Sequence, residues 1–141
     1  MNAPYEQSFV VTGRDFFHAG SASTEIKSIL KSLGVSAAIV RRVAIAAYEA
    51  EMNVVMYADR ATLTFSVTPE AIRLCVDDRG PGIPDVGLAM QEGWSTASHE
   101  IREMGFGAGM GLPNIKRNAD EFEIRSEVGK GTRLDIVIYI N

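Results

Sequence analysis

Ala46-Ala47-Tyr48-Glu49-Ala50-Glu51-Met52-Asn53-Val54-Val55-Met56-Tyr57 is an apolar run that nonetheless carries two carboxylates and an amide. It lies in a stretch opened by Ser36 that has no Gly or Pro before Asp59, which predicts one helix of about 22 residues, roughly 33 Å long and the longest element of the chain. Glu49 and Asn53 are spaced i and i+4, so they share a face, about 6 Å apart along the axis, and can address one ligand together. Glu51 points to nearly the opposite side. A carboxylate flanked by Ile45, Met52 and Met56 loses hydration, tends towards a raised pKa and is a candidate general base. The amide oxygen of Asn53 suits Mg²⁺, which prefers oxygen donors. An amphipathic helix whose Glu and Asn merely face solvent fits the same pattern, and Glu-x-x-x-Asn alone does not separate the two.

Upstream, Gln7–Thr12 reads as a strand, and Ser21 or Ser23 can cap a helix running to about Leu33, where Gly34 ends it. Downstream, Ala61–Thr68 and Ala71–Asp77 form a hairpin through Pro69-Glu70. Residues 80–111 hold eight of the thirteen glycines, which implies a long mobile segment. Leu112–Ala119 reads as a helix, and Glu121–Val128 and Thr132–Ile140 as strands joined by Gly129-Lys130-Gly131. The order β, α, α, β, β, loop, α, β, β favours an α+β two-layer sandwich, with helices on one face of a mostly antiparallel sheet, over a doubly wound parallel sheet. At 141 residues a single domain spanning 1–141 is expected.

With 46% hydrophobic and 23% charged residues the chain should fold, and a net charge of -4 excludes a duplex-binding footprint. No apolar run approaches the roughly 18 residues of a membrane span, and the polar start, Met1–Ser8, is unlike a signal peptide, so a cytoplasmic protein is expected. The single Cys75 excludes an internal disulfide; between Leu74 and Val76 it is expected to be a core thiol. His18 and His99 are isolated and expected to be solvated rather than metal ligands.

Two further motifs stand out. In Val76-Asp77-Asp78-Arg79-Gly80-Pro81-Gly82-Ile83 an acidic pair ends an apolar strand, and glycines then let backbone approach a flat ligand, whose exocyclic amine a carboxylate could bind. A plain turn fits these residues too. In Gly105-Phe106-Gly107-Ala108-Gly109-Met110-Gly111, ahead of Leu112-Pro113-Asn114-Ile115, exposed amides and a helix start together make a phosphate cradle. A dinucleotide-binding fingerprint would follow a strand, and His99–Met104 is polar and helix-like instead. Gly129-Lys130-Gly131-Thr132 lacks the spacing of a Walker loop and leads into a strand.

In order and spacing these motifs resemble the GHKL ATPases, over nearly the whole chain. The resemblance implies a Bergerat-type ATP-binding fold. Glu49 and Asn53 match the family's N box, in which Glu orients or deprotonates the nucleophile and Asn holds Mg²⁺. Asp78, Gly80, Gly82 and Ile83 match the first glycine box, whose Asp recognises the adenine amino group. Gly107, Ala108, Gly109, Met110, Gly111 and Leu112 match the second, which closes over the phosphates. Gly131-Thr132 matches the last box, whose Thr supports the adenine. Residues 84–106 would then form a nucleotide-responsive lid, in which Trp94 is either a reporter of closure or a fixed core anchor. The stretches Gly109–Arg117 and Asp120–Ile124 look most like the anti-sigma regulatory serine/threonine kinases. That likeness implies transfer of the γ-phosphate of Mg-ATP to a Ser or Thr of a small antagonist or sigma-factor-like partner, and leaves room for a homodimer. A nucleotide-gated binding module and a slow ATPase are the alternatives. Met56 departs from the pattern: many relatives carry His, Lys or Arg three residues beyond the Asn, a phosphate contact that is missing here and that Arg60, Lys116 or Arg117 could replace.

Overall fold

The computed structural model describes residues 5–91 and 111–140. Among them the elements run β1 (Tyr5–Thr12), α1 (Ser21–Ser32), α2 (Ala37–Tyr57), β2 (Arg60–Val67), β3 (Ala71–Arg79), α3 (Val86–Ala89), α4 (Gly111–Asn118), β4 (Glu121–Glu127) and β5 (Gly131–Tyr139). The strands form one sheet in the order β1-β2-β3-β5-β4, with all four pairings antiparallel. Because strand side chains alternate, Leu63, Phe65, Leu74, Val76, Leu134 and Ile136 fall on one face and are buried there. Thr62, Thr64 and Asp135 belong to the other face, which is more open. The helices cover only the buried face, giving the α+β two-layer sandwich.

Helix α2 is apolar almost all round because it is enclosed on three sides. It crosses β1, β2, β3 and β5 and is flanked by α1 and α4. Ala46, Ala47 and Ala50 are fully buried, and their small side chains let neighbouring elements approach closely. Met56 also packs in this core, at 7% exposed, so a cationic side chain at that position would have to leave the core to reach any ligand. No described helix is long and apolar enough to cross a membrane.

Three local expectations need correction. Cys75 is half-buried rather than a core thiol, because in a strand the apolar neighbours Leu74 and Val76 turn it to the opposite face. Burial and the nearby Asp135 carboxylate push its thiol pKa up. The N-cap of α1 is neither Ser21 nor Ser23 but Gly20, in the left-handed region at φ 92° and with no side-chain cap. Glu51 replaces that cap: its carboxylate reaches from α2 and accepts the N–H groups of Gly20 (3.0 Å), Ala22 (3.2 Å) and Ser23 (3.0 Å). Finally, the glycine-rich segment contains a helical turn, α3, capped by the Asp85 carboxylate through the Leu88 N–H at 2.9 Å.

Candidate functional site

The site is built from two clusters. The first forms where β3 ends. This strand continues two residues beyond its expected end at Asp77, so Asp78 is in phase with Leu74 and Val76 and faces the helix side, whereas Asp77 is exposed on the other face. Strand periodicity thus distinguishes the two aspartates. One carboxylate oxygen of Asp78 accepts the N–H of Thr132 at 2.9 Å, tying the end of β3 to the start of β5. Burial raises the Asp78 pKa; the Thr132 N–H opposes that rise, and the like charges of Asp77 and Asp59 add to it.

Residues 80–83 lie against the turn between β4 and β5, held by Gly129 N–H to Pro81 C=O at 2.9 Å and Gly80 N–H to Lys130 C=O at 3.3 Å. Ser126 joins the pieces. Its hydroxyl accepts the Ile83 N–H at 2.7 Å, donates to the Gly131 carbonyl at 3.2 Å and lies 2.8 Å from the Thr132 hydroxyl. Two glycines are required here. Gly82 has φ 75°, and a Cβ on it would sit 2.4 Å from the Glu127 carbonyl oxygen; on Gly131, at φ 148°, it would sit 2.1 Å from the Asp78 carbonyl oxygen. Gly82→Ala is therefore expected to cost about 2 kcal/mol or more of stability, read from the midpoint of a urea melt. A cost below about 0.5 kcal/mol would show that the loop relaxes freely.

The second cluster lies on α2. A Cβ built on Gly111, the first residue of α4, would lie 3.1 Å from Asn53 Oδ1 and 3.4 Å from Glu49 Oε2, so the backbone of α4 begins directly against both side chains. Burial raises the Glu49 pKa, and a hydrogen bond from the Asn114 side chain partly offsets this. The Asn114 Oδ1 in turn accepts from the Arg117 guanidinium at 2.7 Å. The two clusters meet along α2. A Cβ on Gly80 would touch the Ala58 Cα at 3.0 Å, and Ala58 follows Asn53 by five residues, about 7.5 Å along the axis.

The structure therefore brings Asp78, Gly80, Gly82, Ile83, Gly131 and Thr132 together in one cluster, and Glu49, Asn53 and Gly111 in the other. Leu112 is buried at the start of α4. Gly107, Ala108, Gly109, Met110 and Trp94, and most of the expected lid, lie outside the described residues. Of the cations proposed to replace a basic residue at Met56, Arg60 and Lys116 are exposed, and Arg117 holds Asn114. Sequence reasoning missed Ser126 and Asn114. Ser126 pairs directly with Thr132 across β4 and β5, so the register of that hairpin would have found it; nothing in the sequence marks Asn114 as a partner of Glu49.

An open five-stranded antiparallel sheet with helices on one face is consistent with the α+β fold of the GHKL-type ATPases. Residues 16–138 match the family described as histidine kinase-like ATPase domain, and the chain belongs to that family. It is similar to the serine/threonine-protein kinase RsbT of Bacillus subtilis (strain 168), 29% identical over 118 residues that cover 81% of this chain and 83% of the relative. It is also similar to anti-sigma F factors. That of Caldanaerobacter subterraneus subsp. tengcongensis is 34% identical over 94 residues, 67% of this chain and 58% of the relative. That of Thermoanaerobacter sp. (strain X514) is 35% identical over 79 residues, 56% of this chain and 52% of the relative. The matches thus span little more than half the length of these anti-sigma factors.

Proposed function

We propose that the protein binds Mg-ATP and transfers the γ-phosphoryl group to a Ser or Thr hydroxyl of a regulatory partner protein, in the manner its likeness to a serine/threonine kinase and to anti-sigma factors suggests. The observation that carries this reading is the meeting of Glu49, Asn53 and the start of α4. A carboxylate, an amide oxygen and backbone at a helix N-terminus are the groups a triphosphate with its metal requires. Gly111 approaches these groups so closely that a Cβ there would be a tight contact, 3.1 Å from Asn53 Oδ1 and 3.4 Å from Glu49 Oε2.

Asp78 holds the purine. One of its oxygens is occupied by the Thr132 N–H, and the other accepts from the exocyclic amine. Asn53 supplies a metal oxygen ligand. Mg²⁺ prefers oxygen donors and would keep water or phosphate oxygens beside the Asn53 amide oxygen. A Mg²⁺ held there would supply charge neutralisation on the phosphates. Glu49 takes the proton of the acceptor hydroxyl, whose oxygen attacks the γ-phosphorus. The bond from that phosphorus to the β–γ bridging oxygen breaks, and its electron pair leaves with ADP. By the family resemblance, residues 84–106 would serve as the lid of the single domain and residues 107–112 as its phosphate-binding box.

Calorimetric titration with Mg-ATP tests this reading. Asp78→Asn keeps an oxygen for the Thr132 N–H but turns an NH₂ group towards the adenine amine, donor against donor. Affinity should fall at least about tenfold, which corresponds to roughly 1.4 kcal/mol. No heat of binding by the unaltered protein at millimolar Mg-ATP would refute the proposal. Nucleotide binding without labelling of any partner protein would favour a nucleotide-gated binding module.

A further inference from the structure

A groove of about 680 Å³ runs between α1 and α2 on the side away from the sheet. Its floor is apolar, formed by Val40, Ala44 and Ile45, and its edges carry Lys27 and Lys31 from α1 and Arg41 from α2. At one end it reaches Glu49, so the groove is continuous with the candidate site. Its three cations are exposed and have no ion-pair partner among the described residues. The adjacent Arg42, by contrast, is bound to Asp120 at 3.1 Å and to the Asn118 carbonyl. In a chain with net charge -4, this is a local cluster of uncompensated positive charge beside an apolar floor.

We propose that this groove docks an acidic segment of the partner protein, with an apolar side chain on the floor and carboxylates on the three cations, so that a Ser or Thr at the segment's end meets Glu49. The delivery of the hydroxyl rests on the kinase reading above; the docking itself does not. The chemistry selects the occupant. A free phosphate or a nucleic-acid backbone would gain from the cations but not from Val40, Ala44 and Ile45, whereas a peptide of alternating acidic and apolar residues uses both. The position selects it as well, because a segment lying along the groove points at the candidate base.

The test uses the full chain and two fluorescein-labelled peptides, one with a Ser flanked by Leu and Glu, the other with each Glu replaced by Lys. Anisotropy should show binding of the acidic peptide only, weakening as salt rises from about 50 to about 300 mM. The variant Lys27→Glu/Lys31→Glu/Arg41→Glu should lose about tenfold or more of that affinity, since three exposed contacts become repulsive. These positions are on the surface, and a circular dichroism melt verifies that the variant folds. Equal binding of both peptides, or of the acidic peptide by both proteins, overturns the proposal. So does a wild-type dimer that the variant dissolves, which would make the groove an interface between copies. A loss of Mg-ATP affinity in the variant overturns it too, because the cations would then serve the phosphates. If the wild type binds the acidic peptide but not Mg-ATP, the kinase reading fails and the docking stands.

Discussion

Glu51→Ala should unfold the protein more readily than any change at the surface, with an expected loss of about 3 to 5 kcal/mol. Glu51 is 1% exposed, and its carboxylate satisfies three backbone N–H groups at the start of α1, a helix whose own cap residue has no side chain. Truncation leaves the buried Ala22 and Ser23 donors without an acceptor, each costing about 1 to 3 kcal/mol, frees the part-buried Gly20 N–H, and removes a negative charge from the positive end of the helix. Against a total stability of about 5 to 15 kcal/mol this is a large share. At this chain length the melting temperature should drop by roughly 10 to 20 °C. Glu51→Gln retains one acceptor and should fall in between. The exposed Glu25 on α1 provides a control whose replacement by Ala should stay within about 0.5 kcal/mol of wild type. If Glu51→Ala also cost less than about 1 kcal/mol, water would be replacing the carboxylate and α1 would not depend on it.

The same residue shows what was legible beforehand. The spacing of Glu49, Glu51 and Asn53 correctly separates one face of α2 from the other, because helical geometry is local and periodic. What Glu51 does on its face depends on α1 packing beside it, a contact across 28 to 31 residues that no local signal encodes. Cys75 and Asp78 make the same point for strands. Each has a phase fixed by alternation, yet Cys75 was misread from the hydrophobicity of its neighbours, while Asp78 was separated from Asp77 by the motif it belongs to. The order of elements could be read because each strand and helix carries its own pattern. Ser126 was within reach through the register of the β4–β5 hairpin, whereas Asn114 was not, since its role exists only after α4 has reached α2.

Glu49→Gln should separate chemistry from binding. Transfer is expected to fall by about 10² to 10⁴, the usual contribution of a positioned general base, while affinity for Mg-ATP stays close to wild type. The Gln side-chain oxygen can still accept from Asn114, so the contact with α4 survives the change. The sign of the pH effects follows from burial. Removal from water disfavours the charged form of Glu49 more than Asn114 favours it, so its pKa in the folded protein lies above the ordinary 4.5. A carboxyl raised on folding favours the folded state below its unfolded pKa, and that contribution is lost as pH rises through the raised value. At neutral pH the ionised Glu49 therefore opposes folding, and Glu49→Gln should be no less stable than wild type, with any gain vanishing in acid. The transfer rate has the opposite dependence, because only the ionised carboxylate can take a proton: it should rise with pH through a midpoint above 4.5. Single-turnover transfer, calorimetric Mg-ATP affinity and urea melts, each followed from about pH 4 to about pH 8, give the three curves. If affinity and transfer fell together, Glu49 would be a binding group; if transfer persisted in Glu49→Gln, the hydroxyl would lose its proton to some other acceptor.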